Sequence, residues 1–118
     1  MSSAAAAAQP SNQQLLATFQ AMKQELNGIA SKIGELEMDR DEHQLVIDTI
    51  SGMSGDRKCF RLVGGILVER TVKDVLPLVK GNQQGINTTL QQLLATYKKK
   101  EEAMVAFQKE SGVKISQV

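Results

Sequence analysis

The stretch "RLVGGILVERT", residues 61–71, is typical of two short strands joined by a pair of glycines. Gly64-Gly65 is the kind of pair that forms a tight two-residue turn. With that turn, alternate side chains fall on opposite surfaces of the ribbon: Cys59, Arg61, Val63, Ile66, Val68 and Arg70 on one, and Phe60, Leu62, Leu67 and Glu69 on the other. The sequence therefore predicts a β-hairpin over residues 58–70.

This hairpin is mostly apolar on both surfaces, whereas a half-buried hairpin is polar on one. A lone two-stranded hairpin is marginal in water, and its open edges invite further strands. The chain offers no other strand-like segment, so we expect the covering strands to come from other chains. The residues predicted to form this subunit-assembly element are Phe60, Leu62, Val63, Gly64, Gly65, Ile66, Leu67 and Val68.

A helix is predicted on each side of the hairpin. From residue 12 to 53, seam residues recur at alternating steps of four and three: Leu15, Phe19, Met22, Leu26, Ile29, Ile33, Leu36, Arg40, His43, Ile47 and Ile50. From 71 to 112 the same spacing gives Val72, Leu76, Val79, Gln83, Ile86, Leu90, Leu93, Tyr97, Lys100, Met104 and Phe107. Such a repeat predicts a coiled-coil seam. Thr71, with Asp74 three residues later, would cap the second helix.

Charge favours pairing of these two helices. Residues 12–50 carry three basic and seven acidic side chains, whereas residues 51–118 carry eleven basic and six acidic. The predicted fold is therefore mainly α: a long antiparallel helical hairpin with one central β-hairpin. Residues 1–11 are expected to be a disordered lead-in, residues 12–112 the folded domain, and residues 113–118 a short tail.

Composition narrows the class of function. The 118 residues include no Trp, one Tyr and three Phe, which predicts an elongated molecule rather than a globular one. A net charge of +1 gives no reason to expect nucleic acid or an anionic membrane as a partner. One Cys excludes an intramolecular disulfide and favours a reducing compartment. We expect a soluble, cytoplasmic protein.

Two stretches carry a family resemblance. "ELEMDRDEHQLVIDTI" at 35–50 and "RKCFRLVGGILVERTVKDVLPLV" at 57–79 closely resemble the β-type subunits of prefoldin. The resemblance covers about residues 12–112. It implies a co-chaperone of two α-type and four β-type chains, whose hairpins form a double β-barrel from which coiled coils extend. It also implies capture of unfolded polypeptides, notably actin and tubulin, and their delivery to the cytosolic chaperonin without ATP or another cofactor.

If the helices pair from the hairpin outward, the start of the first helix meets the end of the second. The predicted client-binding residues are Leu15, Leu16, Phe19, Met22, Met104, Val105 and Phe107, with Val113 and Ile115 just beyond. Met suits varied partners because it is flexible. The alternative for any one of them is that it only closes the seam. Leu16 and Val105 lie off the strict seam and are the better candidates.

Three other interpretations of the sequence compete with the chaperone. A structural tether or scaffold, oligomerised through the hairpin, would share the composition but would more often have polar ends. A metal or catalytic site at His43 and Arg40 lacks convergent ligands, so these residues are expected to fix the helix register. Cys59 has no identifiable base and is expected to be a small buried strand residue rather than a nucleophile. No enzyme activity is therefore predicted.

Overall fold

The computed structural model describes residues 11–112, which form two helices flanking a hairpin. The elements are α1 (Asn12–Ile50), β1 (Lys58–Val63), β2 (Ile66–Thr71) and α2 (Val72–Ser111). This order confirms the predicted mainly helical class with one central β-hairpin. The predicted lead-in up to residue 10, the tail at 113–118, and with it Val113 and Ile115, lie outside the described residues.

Helix α1 begins with a capping box, which shortens the predicted lead-in by one residue. The backbone N–H of Gln14 donates to Ser11 Oγ at 3.1 Å, and the backbone N–H of Ser11 donates to Gln14 Oε1 at 2.8 Å. This reciprocal pair satisfies two backbone donors at the helix start. Ser11 is therefore the N-cap of α1 and not part of the lead-in to which residues 1–11 were assigned.

Helix α1 ends at Ile50, three residues before the predicted Met53. The N–H of Ser51 still bonds the Ile47 carbonyl at 2.9 Å, but the N–H of Met53 bonds the Ile50 carbonyl at 3.0 Å, which is a tighter turn. Gly52 has poor helix propensity, which favours an end at this point. The prediction of helix through residue 53 was wrong for these three positions.

The hairpin register follows the sequence pattern. The paired residues are Lys58–Thr71, Cys59–Arg70, Phe60–Glu69, Arg61–Val68, Leu62–Leu67 and Val63–Ile66. Gly64 and Gly65 have φ of 57° and 83°, so both turn positions need the left-handed backbone that glycine adopts without a steric penalty. The predicted turn is confirmed, and so is the predicted division of the side chains between the two surfaces.

The loop before the hairpin caps the second helix. The N–H groups of Val72 and Lys73 donate at 3.0 Å to the carbonyls of Arg57 and Gly55. The Thr71 hydroxyl donates to the Asp74 carboxylate at 3.0 Å, so this pair braces the first turn through side chains only. Because Thr71 closes strand β2, α2 starts one residue later than predicted, and it ends at Ser111, one residue before the predicted end.

Contacts divide the chain into two compact units. The hairpin unit is Lys32–Leu93, and the helix-end unit joins the described residues up to Ser31 with those from Leu94 onward. In each unit, side chains at the predicted seam positions are buried or half-buried, except Lys100. The alternating four-and-three spacing therefore identified the coiled-coil faces of both helices.

The hairpin unit holds a core at the base of its helices. Its members are Ile47, Ile50, Val72, Val75 and Val79, each at most 8% exposed. Met53, Cys59 and Leu76 pack against them. Burial of this kind contributes roughly 1.5–3 kcal/mol per side chain. The cluster therefore anchors the ribbon to the helices, and Cys59, half-buried, has the packing role expected of it.

Candidate functional site

The surface of the hairpin that carries Phe60, Leu62 and Leu67 is exposed. These three side chains retain 63–69% of their accessible surface. Lys58 and Glu69 share that surface and form an ion pair at 3.5 Å. A continuous patch of exposed apolar side chains of this kind marks an interaction surface. The patch lies on the paired ladder of β1 and β2.

The opposite surface of the hairpin packs partly on the helices. Cys59, Arg61 and Val68 are half-buried, whereas Val63 and Ile66, next to the turn, are 54% and 68% exposed. The two strands form a two-stranded sheet, so each has one edge that pairs with no strand of the described residues. The assembly residues predicted from the sequence are thus brought together, and on this surface the exposed ones lie next to the turn.

A groove lies between β1 and helix α1 within the hairpin unit. Its apolar lining comes mainly from Val46, Ile50, Met53, Val75 and Val79. Its charged lining consists of Arg57, Lys58, Arg61 and Glu42, with His43 beside them. The groove is an open cleft along a strand edge rather than an enclosed cavity.

The helix-end unit contains all seven predicted client-binding residues. Phe19 is buried, at 3% exposed, and Val105 is 41% exposed. The others are half-buried: Leu15, Leu16, Met22, Met104 and Phe107. Phe19 therefore closes the seam in the folded unit, as does the buried Leu26. Val105 presents the most accessible apolar side chain of the seven.

The two helix segments of the helix-end unit are joined by an ion pair. Lys100 Nζ lies 2.5 Å from Glu25 Oε1, and both side chains are about half exposed. A shallow depression on α2 is lined by Met104, Val105 and Ala106, with Glu101, Glu102 and Lys109 around it. The apolar surface offered by this unit is therefore small and bordered by charges.

The register between the helices is held by a residue that the sequence did not single out. In the hairpin unit, Gln83 Nε2 donates to Gln44 Oε1 at 2.8 Å and to the Arg40 carbonyl at 3.3 Å. Arg40 takes part only through its backbone, and its side chain pairs with Asp41. His43 Nδ1 donates to the Asp39 carbonyl at 2.7 Å, within its own helix. The register role expected of His43 and the Arg40 side chain stays a prediction.

A sequence signal for Gln83 existed. Gln83 is a polar side chain at a seam position of α2, and polar seam residues commonly fix register. Gln44, its partner, lies beside the seam of α1 and could not be paired with it before the helices were aligned. The groove could not be predicted from the sequence either, because Val46 and Arg61 come to line the same space only in the folded chain.

Neither a metal-binding cluster nor a membrane-spanning helix is found among the described residues. Among residues 11–112, no group of three or more His, Cys, Asp or Glu side chains is placed to hold a metal ion. Over the same range, neither helix is both long enough and apolar enough to cross a membrane.

Comparison with known proteins agrees with the fold and the hairpin. The profile of the Prefoldin subunit family matches residues 13–117. A probable prefoldin subunit 2 from Schizosaccharomyces pombe is 46% identical over 110 residues, which is 92% of this chain and 96% of that one. Prefoldin subunit 2 from Homo sapiens is 41% identical over 105 residues, 89% of this chain and 68% of that one.

A solved structure supplies a match at the level of the fold. The crystal structure of the prefoldin beta subunit from Thermococcus strain KS-1 superposes with a TM-score of 0.79 at 18% identity, covering 90% of this chain and 95% of that one. The match of a helix, hairpin and helix in one order, together with relatives above 40% identity, identifies the family. This chain belongs to the prefoldin subunit family.

Proposed function

We propose that this chain is a β-type subunit of a six-chain, ATP-independent co-chaperone, assembled through its hairpin with α-type and other β-type subunits. The observation that carries the proposal is the apolar surface of Phe60, Leu62 and Leu67, 63–69% exposed on a paired ladder. Covering each side chain would contribute roughly 1.5–3 kcal/mol, which favours a permanent complex. The relatives named prefoldin subunit 2 support this assignment.

The complex would capture unfolded polypeptides, such as actin and tubulin, on the helix-end units and pass them to the cytosolic chaperonin. Support comes from Val105, which is 41% exposed, and from the half-buried Leu15, Leu16, Met22, Met104 and Phe107. One such surface is small, so a single chain would hold a client weakly. Several helix-end units acting on one client would multiply the affinity without a deep pocket.

This function requires no bond-making chemistry from the chain. We therefore propose that it acts without catalysis and without a cofactor, in the cytoplasm, and that neither nucleic acid nor a membrane is a partner. Release would follow when the chaperonin competes for the apolar segments of the client. Weak, multivalent contacts suit such a transfer because each one can be replaced separately.

The test is client capture by the reconstituted complex. Leu16→Ser with Val105→Ser removes the two predicted client contacts that lie off the strict seam. We expect about two- to threefold more aggregation of denatured actin at equal complex concentration, because one of several weak contacts is lost. Leu94→Ser is the matched control, since Leu94 is 51% exposed in the same unit but is not a predicted client contact. Equal capture by both variants would remove the client-binding role of these residues.

A further inference from the structure

The groove between β1 and helix α1 combines three features that point to one occupant. Its lining includes the apolar side chains of Val46, Ile50 and Val79, and Val46 is still 43% exposed. One wall is strand β1, whose outer edge pairs with no strand of the described residues. A free strand edge beside an apolar channel suits an extended segment that adds main-chain hydrogen bonds and places alternate side chains in the channel.

The charged side chains of the groove further restrict the chemistry of the segment that could bind there. Arg57, Lys58 and Arg61 face one carboxylate, that of Glu42. Lys58 is already paired with Glu69, but neither Arg57 nor Arg61 has a carboxylate partner within residues 11–112. Arg61 is moreover half-buried between apolar neighbours on the ribbon. A partly buried guanidinium is favoured by a carboxylate that binds both of its forked donors.

The stretches of this chain outside the described residues do not carry such a group. Residues 1–10 and 113–118 contain no Asp or Glu side chain. These stretches therefore offer no acidic side chain to pair with Arg57 and Arg61 in the groove. Acidic side chains of a neighbouring chain would complement these arginines.

We infer that this groove seats an acidic, extended segment of a neighbouring subunit, and that Arg61, assisted by Arg57, selects it. The inference rests on the proposed function, since it assumes assembly through the hairpin, and it adds the chemistry of the neighbour and the residue that recognises it. Charge complementarity of this kind discriminates among similar partners, because a neighbour with a basic segment would meet two uncompensated arginines. Among several homologous hairpins, this would place the chain beside one neighbour rather than another.

The test compares two charge reversals on one ribbon. Arg61→Glu reverses the charge in the groove, whereas Arg70→Glu makes the same change on the adjacent strand, at a residue that does not line the groove. Each variant is mixed with the other five subunits, and its incorporation into the six-chain particle is measured by native mass spectrometry. We expect Arg61→Glu to reduce incorporation at least about tenfold relative to Arg70→Glu, and Arg61→Gln about threefold.

Two further measurements test the inference even if Arg61→Glu folds poorly. Raising the salt concentration should reduce the difference in incorporation between the wild-type chain and Arg61→Gln. The reason is that added ions screen the attraction between Arg61 and the carboxylates of the neighbouring segment. A photoreactive benzoylphenylalanine in place of Val46 should cross-link to an Asp- or Glu-bearing segment of a neighbouring subunit. A cross-link to a second copy of this chain, or to a client, would overturn the inference.

The outcomes separate this inference from the proposed function. If the wild-type chain and Arg70→Glu both enter the six-chain particle and Arg61→Glu does not, the groove selects its neighbour by charge. If all three enter equally, assembly stands and the role of Arg61 is wrong. If the wild-type chain enters no particle with other prefoldin subunits, the proposed function fails and this inference fails with it.

Discussion

Two regions of the hairpin unit are built from the same kinds of side chain but differ in their exposure to solvent. The cluster of Ile47, Ile50, Val72, Val75 and Val79 is at most 8% exposed, whereas Phe60, Leu62 and Leu67 are 63–69% exposed. Both sets lie on regular secondary structure, so folding alone does not explain the difference. The first set is covered by the chain itself, and the second has no cover within residues 11–112. We therefore propose that stability resides in the cluster and that assembly resides in the outer surface of the hairpin.

The largest effect should follow from placing charges on the outer surface of the hairpin, which carries Phe60, Leu62 and Leu67. Leu62→Asp with Leu67→Asp places two charges where a neighbouring subunit would pack. Because each buried Leu contributes roughly 1.5–3 kcal/mol and about 1.4 kcal/mol is tenfold in affinity, we expect incorporation into the complex to fall more than about 100-fold. The helical circular dichroism of the lone chain should be unchanged, since both side chains are exposed. Incorporation at the wild-type level would place assembly elsewhere.

Ile50→Ala should show the opposite pattern, a loss of stability within the chain. Removing three carbon atoms from the cluster should lower the free energy of unfolding by roughly 2–5 kcal/mol, as measured by urea denaturation. Leu45→Ala is the matched control on the same helix, because Leu45 is 68% exposed and its truncation should change the stability by less than about 0.5 kcal/mol. Equal effects of the two substitutions would mean that the cluster is not the core.

A smaller effect is expected at the polar contact between the helices. Gln83→Ala removes the hydrogen bonds to Gln44 and to the Arg40 carbonyl, so the free energy of unfolding should fall by about 1 kcal/mol. Gln84→Ala makes the same change at the next residue, which is exposed, and should leave the stability within about 0.5 kcal/mol of wild type. If both variants melt alike in urea, the Gln83 contact contributes nothing to helix pairing.

The smallest effects should differ in sign at two glycines. A Cβ at Gly85 would meet no atom within 4 Å, and the residue is helical, so Gly85→Ala should stabilise the chain by roughly 0.5–1 kcal/mol. Gly64 has φ of 57° in the turn, so Gly64→Ala should destabilise it by roughly 1 kcal/mol. The thermal midpoints of the two variants should therefore move in opposite directions. A gain at Gly64 would contradict the turn geometry.

The hairpin and the seams could be predicted because they depend on short-range rules. A two-residue period with a Gly-Gly turn sets which strand residues face one another, and the four-and-three spacing sets which helix residues are buried. Ser11 fell within the predicted lead-in, although Ser-x-x-Gln at residues 11–14 is a capping signal. The helix end at Ile50 depends on a tight turn that propensity alone locates only to within a few residues.

What could not be predicted depends on tertiary placement. Gln83 meets Gln44 only once the two helices are aligned, and a one-turn shift would pair it with other residues. The groove requires Arg61 of the ribbon and Val46 of α1 to face the same space. For the predicted client contacts, the sequence identifies apolar residues near the helix ends but not their exposure, which ranges from 3% for Phe19 to 41% for Val105.

The measurement that tests the central claim most directly is native mass spectrometry of the complex that copurifies with this chain. A tag at its N-terminus, expressed in its own cells, avoids the hairpin and both helices. The proposed assembly predicts a particle of six small chains, of which this is one, held together by their hairpins. A homodimer, or a complex with a single large partner, would contradict it and would favour a tether or scaffold built on the same ribbon.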